Sequence, residues 1–303
     1  MYSGSITDIK GVLAGHYTDT DNRTGCTVVI IKDGAVAGVD VRGSAPGTRE
    51  TDLLRPTNTV QQAHAFLLSG GSAFGLAAAD GVMRWLEANG IGFETGFARV
   101  PIVPAAVLYD LDTGSAANRP DSKAGYAACE NAARETLAQG SVGAGTGATI
   151  GKAGGMEKAA KGGFGTAAIT LPSGITVAAC FAVNALGDIY DHTTGQKIAG
   201  MSGGTVCDLF MNSGNIGDFS ARNTTIGIVG TNAALNKEQA NKLAAIAHDG
   251  IAMCIRPAHT MFDGDTVFAF GTSETAGDFN AILAAGAEVS ARAIINAVKA
   301  ANA

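Results

Sequence analysis

The chain has 303 residues, 46% of them hydrophobic, enough for a full core in one large domain or two smaller ones. Its formal net charge is -6, with only 21 Lys and Arg and no basic run, which argues against nucleic acid or an anionic membrane as a partner. Five scattered cysteines without CxxC spacing fit a reducing cytoplasm, the N-terminal MYSGSITDIKG lacks both parts of a secretory signal, and no apolar run is read as membrane-spanning.

In chain order, the first strand-like runs fall at 26–31 and 36–41. A helix is expected over 73–89, then a short apolar run ending near Tyr109, a polar surface loop over 111–124, and a second helix over 124–139. Strands at 165–171 and 175–184 are joined by the turn Pro172-Ser173-Gly174. The stretch from Thr176 to Val183 is apolar at nearly every position, which predicts a central strand covered on both faces. Another strand is expected at 224–229. The helix over 236–254 carries a capping box, Asn236 with Gln239, and places Leu243, Ile246, Ala247 and Ile251 on one face. A strand at 265–270 and an Ala-rich helix at 278–301 complete the list. Strands and helices mix without strict βαβ alternation, and no linker or repeat divides the chain. This predicts a single domain of the layered α+β sandwich class.

Glycine is over-represented, 42 of 303 residues, roughly twice the usual ~7%. It gathers at 68–75, 140–155, 162–165 and 200–204, where it makes either tight connections or backbone N–H groups that line a site. Familiar glycine motifs fail on inspection. Gly151-Lys152 resembles the end of a phosphate-binding loop, but Thr146 and Ala153 stand where Gly and a Ser or Thr are required. The run 143–148 fits GxGxxA without the flanking strand and long helix, and 200–204 fits GxSxG without a strong preceding strand. The five histidines show no metal-ligand spacing, and His192 beside Asp188 and Asp191 reads as a solvated loop. No metal or organic cofactor is expected.

One constellation survives. Asn223-Thr224 lies between a polar turn and the strand at 224–229. If the chain is cut there, Thr224 carries a hydroxyl and an α-amine whose unperturbed pKa is about 7.7–8.0, so the amine can deprotonate the hydroxyl without a histidine. Asp263 and Asp265 sit at i and i+2 just before a strand, pointing to one side, where like charges raise one pKa. An ordinary Asp-Gly turn and a DxD metal site, for which no third ligand is evident, are the alternatives. Asn184 ends the buried strand and can donate to an oxyanion or simply cap a turn. Lys152 follows a glycine-rich loop and is either a partly buried ammonium or a solvated lysine. Tyr109 ends an apolar run and either reaches a cleft or packs in the core.

Several ordered blocks carry a family resemblance: DVRGSAPGTRETDLLRP (40–56), LLSGGSAFGLAAADGV (67–82), VPIVPAAVLYDL (100–111), GAGTGATIGK (143–152), AVNALGDI (182–189) and HTMFDGDTVFAF (259–270). With these, the chain resembles the DmpA-like (S58 peptidase) family of self-processing N-terminal nucleophile hydrolases, and within it the nylon-oligomer hydrolase branch. The resemblance implies a four-layer αββα sandwich, self-cleavage at Asn223–Thr224 into residues 1–223 and 224–303, and a homotetramer of processed protomers. It places Lys152, Asn184 and Tyr109 around the Thr224 nucleophile, with Asp263 and Asp265 matching the acidic pair of the nylon branch. The implied substrate is a small linear amide, such as a 6-aminohexanoate oligomer, or a short peptide. An aminopeptidase acting on short peptides or β-peptides, and an acyltransferase like the ornithine acetyltransferases, are the alternatives.

Overall fold

Alternation along the strands sorts the apolar side chains into three buried layers, and those layers define the architecture. The computed structural model describes residues 1–212 and 222–303. Its largest sheet contains β1 (Val12–Asp19), β2 (Thr24–Val41), β3 (Thr48–Arg49), β4 (Gln62–Ser69), β5 (Ala105–Val107), β6 (Gly163–Thr170), β7 (Thr176–Asn184), β8 (Thr224–Ala233) and β9 (Thr266–Thr275). The hydrogen-bonded order is β6-β7-β8-β9-β2-β4-β5-β3, with β1 on β2. The helices used below are α1 (Ala78–Ala88), α2 (Ser122–Glu130), α3 (Lys237–Cys254) and α4 (Phe279–Ala301).

Strand β2 is the joint of the fold. Its first half pairs with β1 and β4, and residues 36–41 pair with β9. The register with β4 shifts between Ile30 and Ala35, at the exposed Lys32 and Asp33. An irregularity of this kind bends a strand and increases its twist. The sheet therefore folds over on itself into two stacked layers. Between them lie Val29, Ile31, Phe66 and Leu68 from one side and Cys180, Ile226, Ile228, Phe268 and Phe270 from the other. The opposite face of β7, β8 and β9 (Val177, Ala179, Phe181, Val229, Val267) packs on α3 and α4. The opposite face of β2 and β4 (Val28, Ile30, Ala65, Leu67) packs on α1 and α2. The result is an αββα sandwich, as expected, with β7 covered on both faces.

Glycine does packing work here. A Cβ on Gly165 in β6 would lie 2.2 Å from the Ala293 carbonyl of α4, and one on Gly38 in β2 would lie 2.3 Å from the Asn241 nitrogen of α3. The helices thus rest directly on strand backbone.

The structure alters several local expectations. The runs 26–31 and 36–41 belong to one 18-residue strand. The helix expected over 124–139 is α2, capped at its start by Asp121 and ended at Glu130, where Asn131 donates to the His16 carbonyl and Ala133 bridges Ala14. Long-range pairing outcompetes the helical propensity of that alanine-rich stretch. The helix expected over 73–89 opens as a 3-10 turn at Ser72–Ala77 before α1. By length and composition α4, with 23 residues, is apolar enough to cross a membrane, but 67% of its most apolar window is buried inside the protein. It is a core helix.

Candidate active site

The register of β7 against β8 puts Asn184 directly opposite Thr224. Parallel pairing of β8 with β9 brings Asp263 alongside Asn223, the two forming an isolated bridge. Three stretches distant in sequence therefore meet at the 223–224 peptide bond, which is continuous in this structure. Thr224 is 5% exposed. Its Oγ1 donates to the Asn223 carbonyl oxygen at 2.5 Å. The Gly264 N–H donates to the same oxygen at 2.9 Å. The carbonyl that the hydroxyl would attack is therefore already held by a backbone donor. Gly264 is needed there for space, since a Cβ would lie 2.5 Å from the Ala45 carbonyl and 2.8 Å from Thr224 Oγ1.

Lys152 and Asn184 converge one peptide upstream. Lys152 Nζ donates to the Arg222 carbonyl at 2.9 Å, to Asn184 Oδ1 at 2.9 Å and to the Asn184 carbonyl at 3.3 Å. Asn184 Nδ2 donates to the Arg222 carbonyl at 3.1 Å and to the Tyr109 carbonyl at 2.8 Å. The Thr149 N–H fixes the Asn184 amide by donating to Oδ1 at 3.0 Å. Gly151 aims the lysine inward. Its φ is +67°, and a Cβ there would sit 2.2 Å from the Met201 nitrogen. Burial pulls the Lys152 ammonium down to about 7, against the opposing pull of Asp112, Asp263 and Asp110. Desolvation disfavours the charged form, so this amine is partly neutral at physiological pH.

The two carboxylates have separate partners. Asp263 Oδ2 accepts from the Thr260 N–H at 2.8 Å and from Thr260 Oγ1 at 2.6 Å. Asp265 Oδ1 accepts the Thr225 N–H at 2.7 Å, and its Oδ2 accepts from His259 Nδ1 at 2.8 Å. Burial first, and the Asp265 charge second, push the Asp263 carboxyl up to about 6. Among the described residues, neither carboxylate bonds the Thr224 hydroxyl.

Tyr109 enters through its backbone carbonyl. Its neighbour Asp110 accepts from Thr24 Oγ1 at 2.8 Å and from the Gly71 N–H at 2.7 Å. Thr24 also lines a cleft of about 700 Å³ with Tyr17, Phe74, Arg119 and Lys123. Thr224 is not among the residues that line this cleft.

All six residues selected from the sequence lie in or beside this assembly. Sequence reasoning missed His259, Thr260, Thr149 and the Gly264 amide. A Thr three residues before an Asp is a recognisable turn spacing, so Thr260 had a local signal. The other three had none.

Comparison with known families places the chain that carries this arrangement. The model of peptidase family S58 covers residues 4–303. The chain belongs to peptidase family S58. Two of its relatives carry different activities in their names. An uncharacterised aminopeptidase of Mycobacterium tuberculosis is 46% identical over 291 residues, covering 90% of this chain and 82% of the relative. A 6-aminohexanoate-oligomer endohydrolase of a Kocuria strain is 32% identical over 279 residues, covering 88% and 74%. The fold matches that of the L-aminopeptidase D-Ala-esterase/amidase of Ochrobactrum anthropi, with TM-score 0.76, 20% identity and coverage of 98% and 86%. It also matches a Burkholderia β-aminopeptidase, with TM-score 0.73, 22% identity and coverage of 98% and 86%. As an S58 peptidase the chain is a hydrolase of peptide-type amide bonds with the N-terminal nucleophile hydrolase fold.

Proposed function

We propose that this S58 peptidase cleaves itself between Asn223 and Thr224 and then hydrolyses small linear amides through the exposed Thr224. The observation that carries the reading is the Thr224 hydroxyl lying 2.5 Å from the Asn223 carbonyl oxygen while the Gly264 N–H holds that same oxygen. In self-cleavage Oγ1 attacks the Asn223 carbonyl carbon, and the Gly264 N–H stabilises the oxyanion. The proton passes to one of the two groups that titrate near neutrality, Lys152 or Asp263. As that group returns the proton to the Thr224 nitrogen, collapse breaks the C–N bond and leaves an ester on Thr224 with a free α-amine. Water then hydrolyses the ester, releasing the Asn223 carboxylate.

In the mature enzyme the α-amine of Thr224 is the general base. Once the new end at Arg222-Asn223 moves away from Thr224, Asn184 Nδ2 and Lys152 Nζ lose the Arg222 carbonyl as acceptor and become free to bind a substrate carbonyl. Asp263 and Asp265 hold the new ammonium and the strand head, and Tyr109 positions the scissile carbonyl through its carbonyl's hold on Asn184 Nδ2. No cofactor enters this scheme. Processed protomers assemble as a homotetramer in the cytoplasm.

The identity to the Kocuria endohydrolase supports linear amides such as 6-aminohexanoate oligomers as substrates. The identity to the mycobacterial aminopeptidase supports the second reading, removal of N-terminal residues from short peptides or β-peptides. Intact-mass analysis under denaturing conditions tests the scheme. Fragments 1–223 and 224–303 are expected from the wild type and one uncut chain from Thr224→Ala. A Thr224→Ala protein that is still cut at this bond sinks the proposal. Hydrolysis of 6-aminohexanoate oligomers against amino-acid p-nitroanilides separates the two substrate readings.

A further inference from the structure

His259 has no role in the scheme above. Its φ is 56°, in the left-handed region that is uncommon outside glycine and in which His, Asn and Asp are the residues most often found. That backbone turn directs two donors at one oxygen, Nδ1 at 2.8 Å and the backbone N–H at 3.2 Å from Asp265 Oδ2. The other Asp265 oxygen holds the Thr225 N–H. A single carboxylate thus connects His259 to the residue beside Thr224. The imidazole is 18% exposed, and the His248 backbone also holds it.

The groups facing this ring come from three segments. Asp265 and Asp263 follow it in its own loop. His248 of α3 meets it edge-on with ring centroids 4.9 Å apart. From β2, Asp40 accepts from His248 through its carbonyl at 3.0 Å and pairs with Arg42 at 2.9 Å. Burial lowers His248 to about 4, so it is a neutral neighbour. Burial also lowers the His259 imidazole, but the hydrogen bond and charge of Asp265 outweigh it, and the net shift is upward.

We infer that His259 is a positioning residue for the Thr224 centre, locking the Asp265 carboxylate that holds the Thr225 amide and offsetting the charge that Asp265 imposes on Asp263. This rests on the Thr224 reading proposed above. Asp263 senses both neighbours, since Asp265 raises its carboxyl and His259 lowers it. Removing the cation while keeping the Nδ1-like donor raises the Asp263 proton affinity. Any step that needs Asp263 ionised then starts at a higher pH.

The test uses full-length wild type, His259→Asn and His259→Ala, translated in a cell-free system and followed by intact mass from pH 5 to 9. Asparagine accepts the left-handed backbone and keeps an amide donor near the Nδ1 position, so this variant separates charge from hydrogen bonding. For His259→Asn, cleavage at 223–224 is expected, with the acid limb of its rate moved up by about 0.5–1 pH unit. In His259→Ala, which also loses the donor, cleavage slows by roughly tenfold or more at every pH. An unmoved acid limb in His259→Asn, whether the rate is normal or reduced, overturns the inference and leaves the Thr224 reading standing. A wild type that never cleaves removes the Thr224 reading, and this inference falls with it.

Discussion

Asp263 is a buried carboxyl raised to about 6, and its cost to stability has a definite sign. An unfolded Asp titrates near ~3.9. The folded state holds this proton more tightly, so its contribution to stability is present below about pH 4 and lost as pH rises through about 6. Asp263→Asn cannot ionise, and its amide oxygen can still accept from Thr260. In a Thr224→Ala background, which keeps the chain in one covalent form, the substitution is expected to stabilise the protein by about 1–3 kcal/mol at pH 8 and by little at pH 4. Denaturant melts at the two pH values check this, and equal effects at both would contradict it. Gly264 acts through backbone rather than charge. Gly264→Ala forces its Cβ against the Ala45 carbonyl and Thr224 Oγ1, moving the N–H off the scissile carbonyl. Self-cleavage is expected to slow by about 10²–10³-fold, the usual loss for one oxyanion donor, read as the half-time of the uncut band.

The sheet and its helices meet at glycine, and that contact explains part of the unusual composition. At Gly165 the α4 backbone lies where a Cβ would go, and at Gly38 the α3 backbone does. Gly165→Ala is expected to destabilise by about 1–3 kcal/mol, because neither a strand nor a helix backbone can yield locally. A thermal melt beside the wild type gives the number, and an unchanged Tm would mean that the two elements slide freely. The sequence reading placed α3 and α4 well because their cues are local: the Asn236–Gln239 capping box for one and an alanine-rich run for the other, whose N-cap proves to be Asp278. It missed β1 and β4, and it extended α2 by nine residues, because their extent depends on partners remote in sequence.

Residues 224–303 supply β8, β9, α3 and α4, two adjacent inner strands and the helices that cover them. Ile226, Ile228, Val229, Phe268, Phe270 and Ile294 of this segment are fully buried. Each such side chain contributes about 1.5–3 kcal/mol of burial, so a cut at 223–224 does not release either piece. Native mass spectrometry is expected to show fragments 1–223 and 224–303 travelling together, separating only in denaturant. Dissociation in native buffer would show that the central sheet is not shared as described.

The sequence alone determined the threonine at a strand head, the apolar central strand, the acidic pair and the capped helices, since each is written in neighbouring residue types. Only the tertiary structure decided which donors meet which carbonyl. Lys152 and Asn184 hold the Arg222 carbonyl, whereas the Gly264 amide holds that of Asn223. Every residue except proline offers a backbone N–H, so nothing in the letters marks the one at Gly264. The coupling of His259 to Asp265 was equally silent, because it depends on a left-handed turn at His259 and on the Thr225 amide arriving from another strand. Those placements follow from strand register and close packing, which long-range burial sets.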